Sequence, residues 1–341
     1  MSTTKTRTAQ HTPIKKTSTW PKRHRPKHNP SSHSQQRQEQ RSQISLGRLD
    51  EAFQVECDPT MGVELEFFLL DQLTGEPAPI FDKVYRRLPA EIQTDTINEF
   101  LKCQIEYRTP VCRDADECRL YLQRFVDAAS DAARAERASL LWRATLEDWP
   151  FDPALVYDCP RSHANLRRLG DKAHLLSTCG MHVHVAVPRD KAISVVDRVQ
   201  SIIPDVVRQS ANSPTMHGRV EELASHRAKI WGCEFPMLTY PHYFGDWKRF
   251  RTQVARLSRF GKIRQPKDLY MLARPTSLGT VELRAADLPQ DLDTVIKIAD
   301  QIQAKVIDCQ SETARLPSLQ SLWARYQDAY RGEKLNLKTA S

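Results

Sequence analysis

The 341 residues suffice for one large domain or two ordinary ones. The net charge of +8 is unevenly spread, because residues 1–43 hold ten Lys or Arg against the single acid Glu39. That local +9 leaves −1 for the rest, so the basic character belongs to the start of the chain rather than to its body.

Residues 1–45 are rich in Ser, Thr, Gln, His, Pro and basic residues with almost nothing to bury, which predicts a disordered basic tail. Its run Lys22-Arg23-His24-Arg25-Pro26-Lys27-His28 could contact an anionic partner such as nucleic acid, or could simply aid solubility. One catalytic domain is expected over 46–341. From Met61 to Leu70 apolar and acidic residues alternate, which predicts a strand. Val63, Leu65 and Phe67 then point into packing, and Glu64 and Glu66 point together the other way. A turn follows at Leu73-Thr74-Gly75-Glu76-Pro77, and a second strand lies around Gln104–Thr109. Asp114 to about Trp142 reads as an acid-capped helix with Leu120, Phe125, Ala128 and Ala132 at helical spacing. Extended chain covers Arg143–Phe151, and polar loops run to Ser177. Thr178–Pro188 predicts a strand, and Asp190 to about Ala211 a helix that Asn212-Ser213-Pro214 breaks. Beyond a loop-rich 215–245 come a helix from Asp246 to about Phe260, a strand at Thr280–Ala285, and helices at Asp291–Cys309 and Ser318–Arg331. Strands separated by long helices predict an α+β fold, with helices on one side of a mostly antiparallel sheet.

No apolar run approaches the ~18 residues that span a bilayer, so no membrane insertion is expected, and no continuous apolar region suggests a secretory signal. The eight cysteines show no C-x-x-C and no paired Cys/His spacing suited to zinc. Scattered thiols fit reduced side chains in a cytoplasmic protein.

Like charges as close as Glu64 and Glu66 resist joint ionisation unless a cation or water lies between them. A solvated strand face would satisfy that, so the case for a metal depends on other strands. Two offer matching groups. In Gly180-Met181-His182-Val183-His184-Val185 both imidazoles share a face, and in Gly279-Thr280-Val281-Glu282-Leu283-Arg284 so do Glu282 and Arg284. Glu99 and Glu106 add carboxylates, and Arg108 shares the face of Glu106. Several carboxylates with one or two imidazoles suit magnesium or manganese ahead of zinc. Arg284 and Arg274 beside such a metal are what phosphoryl transfer requires. Neither G-x-x-x-x-G-K-[ST] nor G-x-G-x-x-G occurs, which argues against a P-loop or a dinucleotide fold.

In this order the pieces resemble the carboxylate–amine ligases of the glutamate–cysteine ligase type 2 family, and more distantly the glutamine synthetase-like superfamily. They are Gly62–Phe67, Glu106-Tyr107-Arg108-Thr109-Pro110-Val111-Cys112, Gly180–Val185, Ala224-Ser225-His226-Arg227, and Asp268–Pro275 running into Gly279–Arg284. The resemblance covers roughly residues 55–310. It implies a curved antiparallel sheet forming an open funnel, and ATP with Mg2+ or Mn2+ as cofactors. Glu64, His182 and Glu282 would hold one metal, and Glu66, Glu106 and Glu99 the other. His184 would lie near the nucleotide, Arg284 and Arg274 on the phosphates, and Arg227 on the nucleotide side. The implied reaction phosphorylates a small-molecule carboxylate and then joins it to an amine.

The chain departs from the family pattern in three places. Lys102 replaces an acid, Thr145-Leu146-Glu147-Asp148-Trp149-Pro150-Phe151 replaces a Gly-Thr-His-Pro-Phe-like segment, and Arg161-Ser162-His163 stands where Arg-Tyr is usual. An altered substrate pair is therefore expected. A phosphotransferase, a nucleotide-binding regulator and a homo-oligomeric assembly stay open.

Overall fold

The computed structural model describes residues 49, 51–220, 222–235, 240–259 and 270–332. The basic tail, the end of the 246–260 helix at Gly261 and the start of the Asp268–Pro275 motif lie outside these residues.

Seven strands form one open sheet in which every pairing is antiparallel. The central strand is β1 (Met61–Asp71), as the alternation of Glu64 and Glu66 predicts. Beside it on one side are β3 (Gln104–Arg108) and then the edge strand β2 (Thr96–Asn98). On the other side β5 (Gly180–Ala186) pairs with its first half and β4 (Ala138–Leu141) with its second. Next to β5 come β9 (Thr280–Asp287) and the edge strand β8 (Ala273–Pro275). A separate two-stranded hairpin joins β6 (Thr215–Met216) to β7 (Arg219–Val220).

One face of the sheet is apolar. Val63, Leu65, Phe67, Ile105, Tyr107, Met181, Val183 and Leu283 are buried there under long helices, which are α3 (Ala115–Ala135), α5 (Ala192–Val199), α6 (Ile203–Ser210) and α9 (Leu292–Ser311). The N-cap Asp114 accepts a hydrogen bond from the Glu117 amide at 2.8 Å and fixes where α3 begins. The Phe125 ring of α3 stacks on Tyr107 at 4.5 Å between centroids and meets Phe67 at 6.0 Å, locking helix to sheet. The expected α+β fold with an antiparallel sheet is therefore the one present.

The structure differs from the expected helices in several places. The helix expected to reach Trp142 stops at Ala135, because Arg137 adopts φ 59° and turns the chain into β4. The helix expected over 190–211 is two helices, since Pro204 cannot continue the first and instead sits in the opening turn of the second. A further helix, α4 (Pro160–Leu169), occupies chain expected to be loop, with its proline in the first turn. Short α1 (Phe81–Arg87) and α2 (Ala90–Gln93) were also not predicted. Not every helix lies on the apolar side either, because α7 (His226–Lys229) sits against β9 and carries Arg227 to the opposite face. Among the described residues no helix is long and apolar enough to cross a membrane.

Replacing Phe125 by Ala empties the contact between α3, β1 and β3. A loss of roughly 3–5 kcal/mol is expected, measured as a fall in the urea midpoint with unchanged m-value.

Candidate active site

The second face of the sheet is ionic, and strand register assembles it. On β1, Glu64 lies opposite Arg108 on one side and His182 on the other, and Glu66 lies opposite Glu106. Gly62 faces His184, which faces Glu282, which faces Arg274. A bulge between β5 and β9 opposes two β9 residues, Arg284 and Ala285, to the single β5 residue His182. It keeps Arg284 beside Glu282 on this face while returning Ala286 to the apolar one.

Two groups of possible ligands result. In each, the donor atoms lie within 4.8 Å of one another, and they are Glu64, His184 and Glu282, then Glu66, Glu99 and Glu106. His182, expected in the first group, is engaged on both ring nitrogens. Its Nδ1 donates to Glu64 Oε2 at 2.9 Å, and its Nε2 lies 3.4 Å from Arg227 Nη2. His184 differs. Its Nδ1 meets Thr280 Oγ1 at 2.9 Å, and its Nε2 is buried without a hydrogen bond, 3.4 Å from Glu64 Oε1 and 3.9 Å from Glu282 Oε1.

Charge is balanced locally. Glu282 is 1% exposed and clamped by Arg274 Nε at 2.6 Å and Arg284 Nη1 at 2.5 Å. Burial disfavours its ionisation, but the two guanidinium groups prevail and hold it well below the usual carboxylate range. Glu64 is likewise opposed by burial and held low by its contacts with His182 and His184. Burial and the Arg284 charge push His182 down to about 4, so it is neutral near pH 7. Against burial, the Glu282 and Glu64 carboxylates raise His184. The second group behaves in the opposite way. Burial and neighbouring Glu106 push Glu66 up to about 7, and burial with Glu99 raises Glu106.

Gly180 explains how Arg227 reaches this face. A Cβ there would strike the guanidinium. The Gly180 amide also donates to Glu66 Oε2 at 2.7 Å. Arg227 Nη1 donates to the carbonyls of Ala286 and Arg284, and its guanidinium lies over Trp231. An open cavity of about 1040 Å3 adjoins the first group and is lined by Gly62, Glu64, Arg108, His184, Leu278 and Thr280.

Of the departures from the family pattern, Arg161 touches the second group directly. Lys102 is not among its acids, since its Nζ donates to the Ala154 carbonyl, and Glu99 is the third carboxylate. Arg161, from α4, lies 3.3 Å from Glu99, and Glu147 pairs with Arg143. Arg161 and Trp231 lie in segments whose sequence has no strand alternation, so no periodicity assigns either side chain to this face.

A glutamate-cysteine ligase family 2 (GCS2) model matches residues 60–333, which contain every residue of this face. The chain belongs to that family. It is therefore a ligase, in agreement with the order of motifs. A Salinispora arenicola relative is 32% identical over 293 residues, covering 82% of this chain and 76% of that protein. The glutamate–cysteine ligase of Haloferax volcanii is 32% identical over 255 residues, covering 73% of this chain and 70% of its own. Among solved structures, the glutamate–cysteine ligase of Francisella tularensis in complex with AMP has a TM-score of 0.57 at 11% identity. The match covers 81% of this chain and 70% of that one, and shows a shared fold.

Glu66 yields a stability prediction. Its carboxyl titrates near 4.5 when unfolded and near 7 when folded. Between those values the folded state binds more protons, so this residue's contribution to stability falls as pH rises and is lost above about 7. Glu66→Gln keeps the acceptor for Gly180 and cannot ionise. In chelator, its melting temperature relative to the unsubstituted protein is expected to be higher at pH 8 than at pH 5.5, read by scanning calorimetry.

Proposed function

We propose that this ligase uses ATP and a divalent metal to activate a small-molecule carboxylate as an acyl phosphate, which an amine then attacks to form an amide. The observation that supports this best is the pair of three-residue ligand groups on one sheet face, with arginines beside them and a large cavity against one. The donor sets fit the implied ions. Five carboxylates and one imidazole suit magnesium or manganese, and a buried imidazole nitrogen without a hydrogen bond suits a ligand atom. On this reading Glu64, His184 and Glu282 hold one ion and Glu66, Glu99 and Glu106 the other. His182 then orients Glu64 instead of ligating. Bound there, the ions would neutralise triphosphate oxygens and make the γ-phosphoryl more electrophilic.

The protein's own groups supply the rest. Arg274 and Arg284 keep Glu282 ionised and add fixed positive charge where negative charge moves to the leaving group. His182, neutral near pH 7, holds Glu64 in one rotamer through its Nδ1–H. Arg227 approaches from α7 and offsets the charge of Glu66 from behind the sheet's ionic layer.

The Haloferax relative's name points to glutamate and cysteine as the substrates. Beside Glu99 this chain carries Arg161 from α4, and elsewhere the Arg143–Glu147 pair replaces the usual segment, so we assign it an acid and an amine other than that pair of substrates.

With magnesium or manganese, a panel of acids and amines is expected to release ADP only when both correct partners are present, the new amide identifying them by mass. No turnover across a broad panel would overturn the reading. Magnesium with a nonhydrolysable ATP analogue should raise the melting temperature. Glu66→Gln should lower turnover by about 100-fold or more, since it removes a charged metal ligand at nearly constant shape; full activity would remove the metal assignment.

A further inference from the structure

Arg274 and Arg284 are committed to Glu282 and only 20% and 18% exposed. Arg108 is placed differently. It stands on β3 opposite Glu64, is 46% exposed, and lines the large cavity. Its Nε lies 2.7 Å from Glu106 Oε1 and 3.4 Å from Glu64 Oε1, so one guanidinium touches an acid of each ligand group. Among the described residues, the side chain's hydrogen bond is made by that Nε to Glu106. Among the described residues the four N–H bonds of its terminal amino groups make no hydrogen bond, so they can serve a ligand in the cavity that this residue lines.

We infer that Arg108 is a phosphate-binding residue of the ligase, gripping the outer phosphates of the nucleotide between the two ligand groups. The inference rests on the ATP-dependent reading given above. Three observations carry it. A planar guanidinium with two amino groups facing a cavity matches two phosphate oxygens in a way that a lysine cannot. The residue stands where the two acid groups meet, which is where a chain of phosphates shared by both would pass. It also carries a cost that a purely structural arginine would not, because it competes with any cation for Glu64 and Glu106. Removing it should therefore affect two ligands in opposite directions: nucleotide phosphates lose a donor, and a bare divalent cation loses a competitor.

Binding assays separate these effects without requiring the acid or amine to be known. Calorimetric titration of the full chain would use a nonhydrolysable ATP analogue with magnesium, AMP with magnesium, and manganese alone. Arg108→Gln is expected to weaken the ATP analogue by about 10- to 100-fold, the range of a charge-assisted hydrogen bond. AMP should change by less than about twofold and manganese should bind more tightly. Arg108→Lys, which keeps the charge but not the fork, should recover only part of the loss. A melting temperature close to that of the unsubstituted protein would exclude misfolding as the cause. Equal weakening of AMP and the ATP analogue, or manganese binding that weakens, would overturn the assignment in favour of a structural role. So would an Arg108→Gln protein that binds the analogue normally. If the unsubstituted chain binds no ATP analogue, the ATP-dependent reading itself fails, and that result appears before any variant is made.

Discussion

The clamp of Glu282 between Arg274 and Arg284 sets the terms for the rest of the molecule. A carboxylate on an interior strand with almost no water contact would be prohibitively costly unpaired. Two guanidinium groups, one from edge strand β8 and one from β9 itself, make it tolerable. The same accounting runs across the sheet. Glu64 is ionised against two histidines, while burial and the neighbouring carboxylates push Glu66 and Glu106 toward their neutral forms, and the Arg108 contact on Glu106 does not offset this. One half of the face is thus settled by its own cations, and the other half is not. That asymmetry, rather than the number of acids, makes the second group the more demanding of an added cation.

A second constraint lies beneath this face. Asp287 is buried at the end of β9 and accepts hydrogen bonds from Ser213 Oγ at 2.7 Å, Ser225 Oγ at 2.8 Å and the Asn212 amide at 2.9 Å. Ser225 Oγ in turn accepts from the Ala228 amide and so caps α7. The helix end that delivers Arg227 is therefore fixed to the strand that delivers Glu282 and Arg284. Gly180 completes the arrangement by leaving room for the guanidinium. A larger side chain there would force Arg227 off His182.

What could be read in the sequence follows from the physics of strands. A period of two declares which residues share a face, so Glu64 with Glu66, His182 with His184, and Glu282 with Arg284 were legible as pairs. Register is not declared by any single strand. The exchange of His182 for His184 in the first ligand group depends on which residue lies opposite Glu282, and on a bulge that alternation cannot reveal. Glu99 has no alternating partner, so the sequence offered it as one more carboxylate and only the family resemblance grouped it with Glu66 and Glu106. The helix at 160–169 was hidden because Pro160 reads as a breaker and the segment is polar, although proline is well suited to a first turn. Arg108 was seen on the right face, but its position between the two acid groups needs the β1–β3 register.

The arrangement also suggests why a ligase would divide its work along one strand. Glu64 and Glu66 are two residues apart on β1, a rise of roughly 7 Å. The first sits with His184 and Thr280 on the cavity side, and the second sits with Glu99 and Arg161 toward α4. In the proposed reaction the phosphoryl group moves from a nucleotide to a carboxylate, so donor and acceptor must lie about one phosphate apart and share a rigid support. A central strand, hydrogen-bonded on both sides, is that support. Variation can then collect in the segments outside the strands, such as 143–151, which reaches the sheet beside Thr178 and Cys179, and α4, whose Arg161 touches Glu99. Glu64, His184, Glu282 and Glu106 cannot drift in the same way, because each is fixed by register to two strands at once. The chain's departures from the family pattern, at Lys102, 145–151 and 161–163, all fall outside the strands of the sheet.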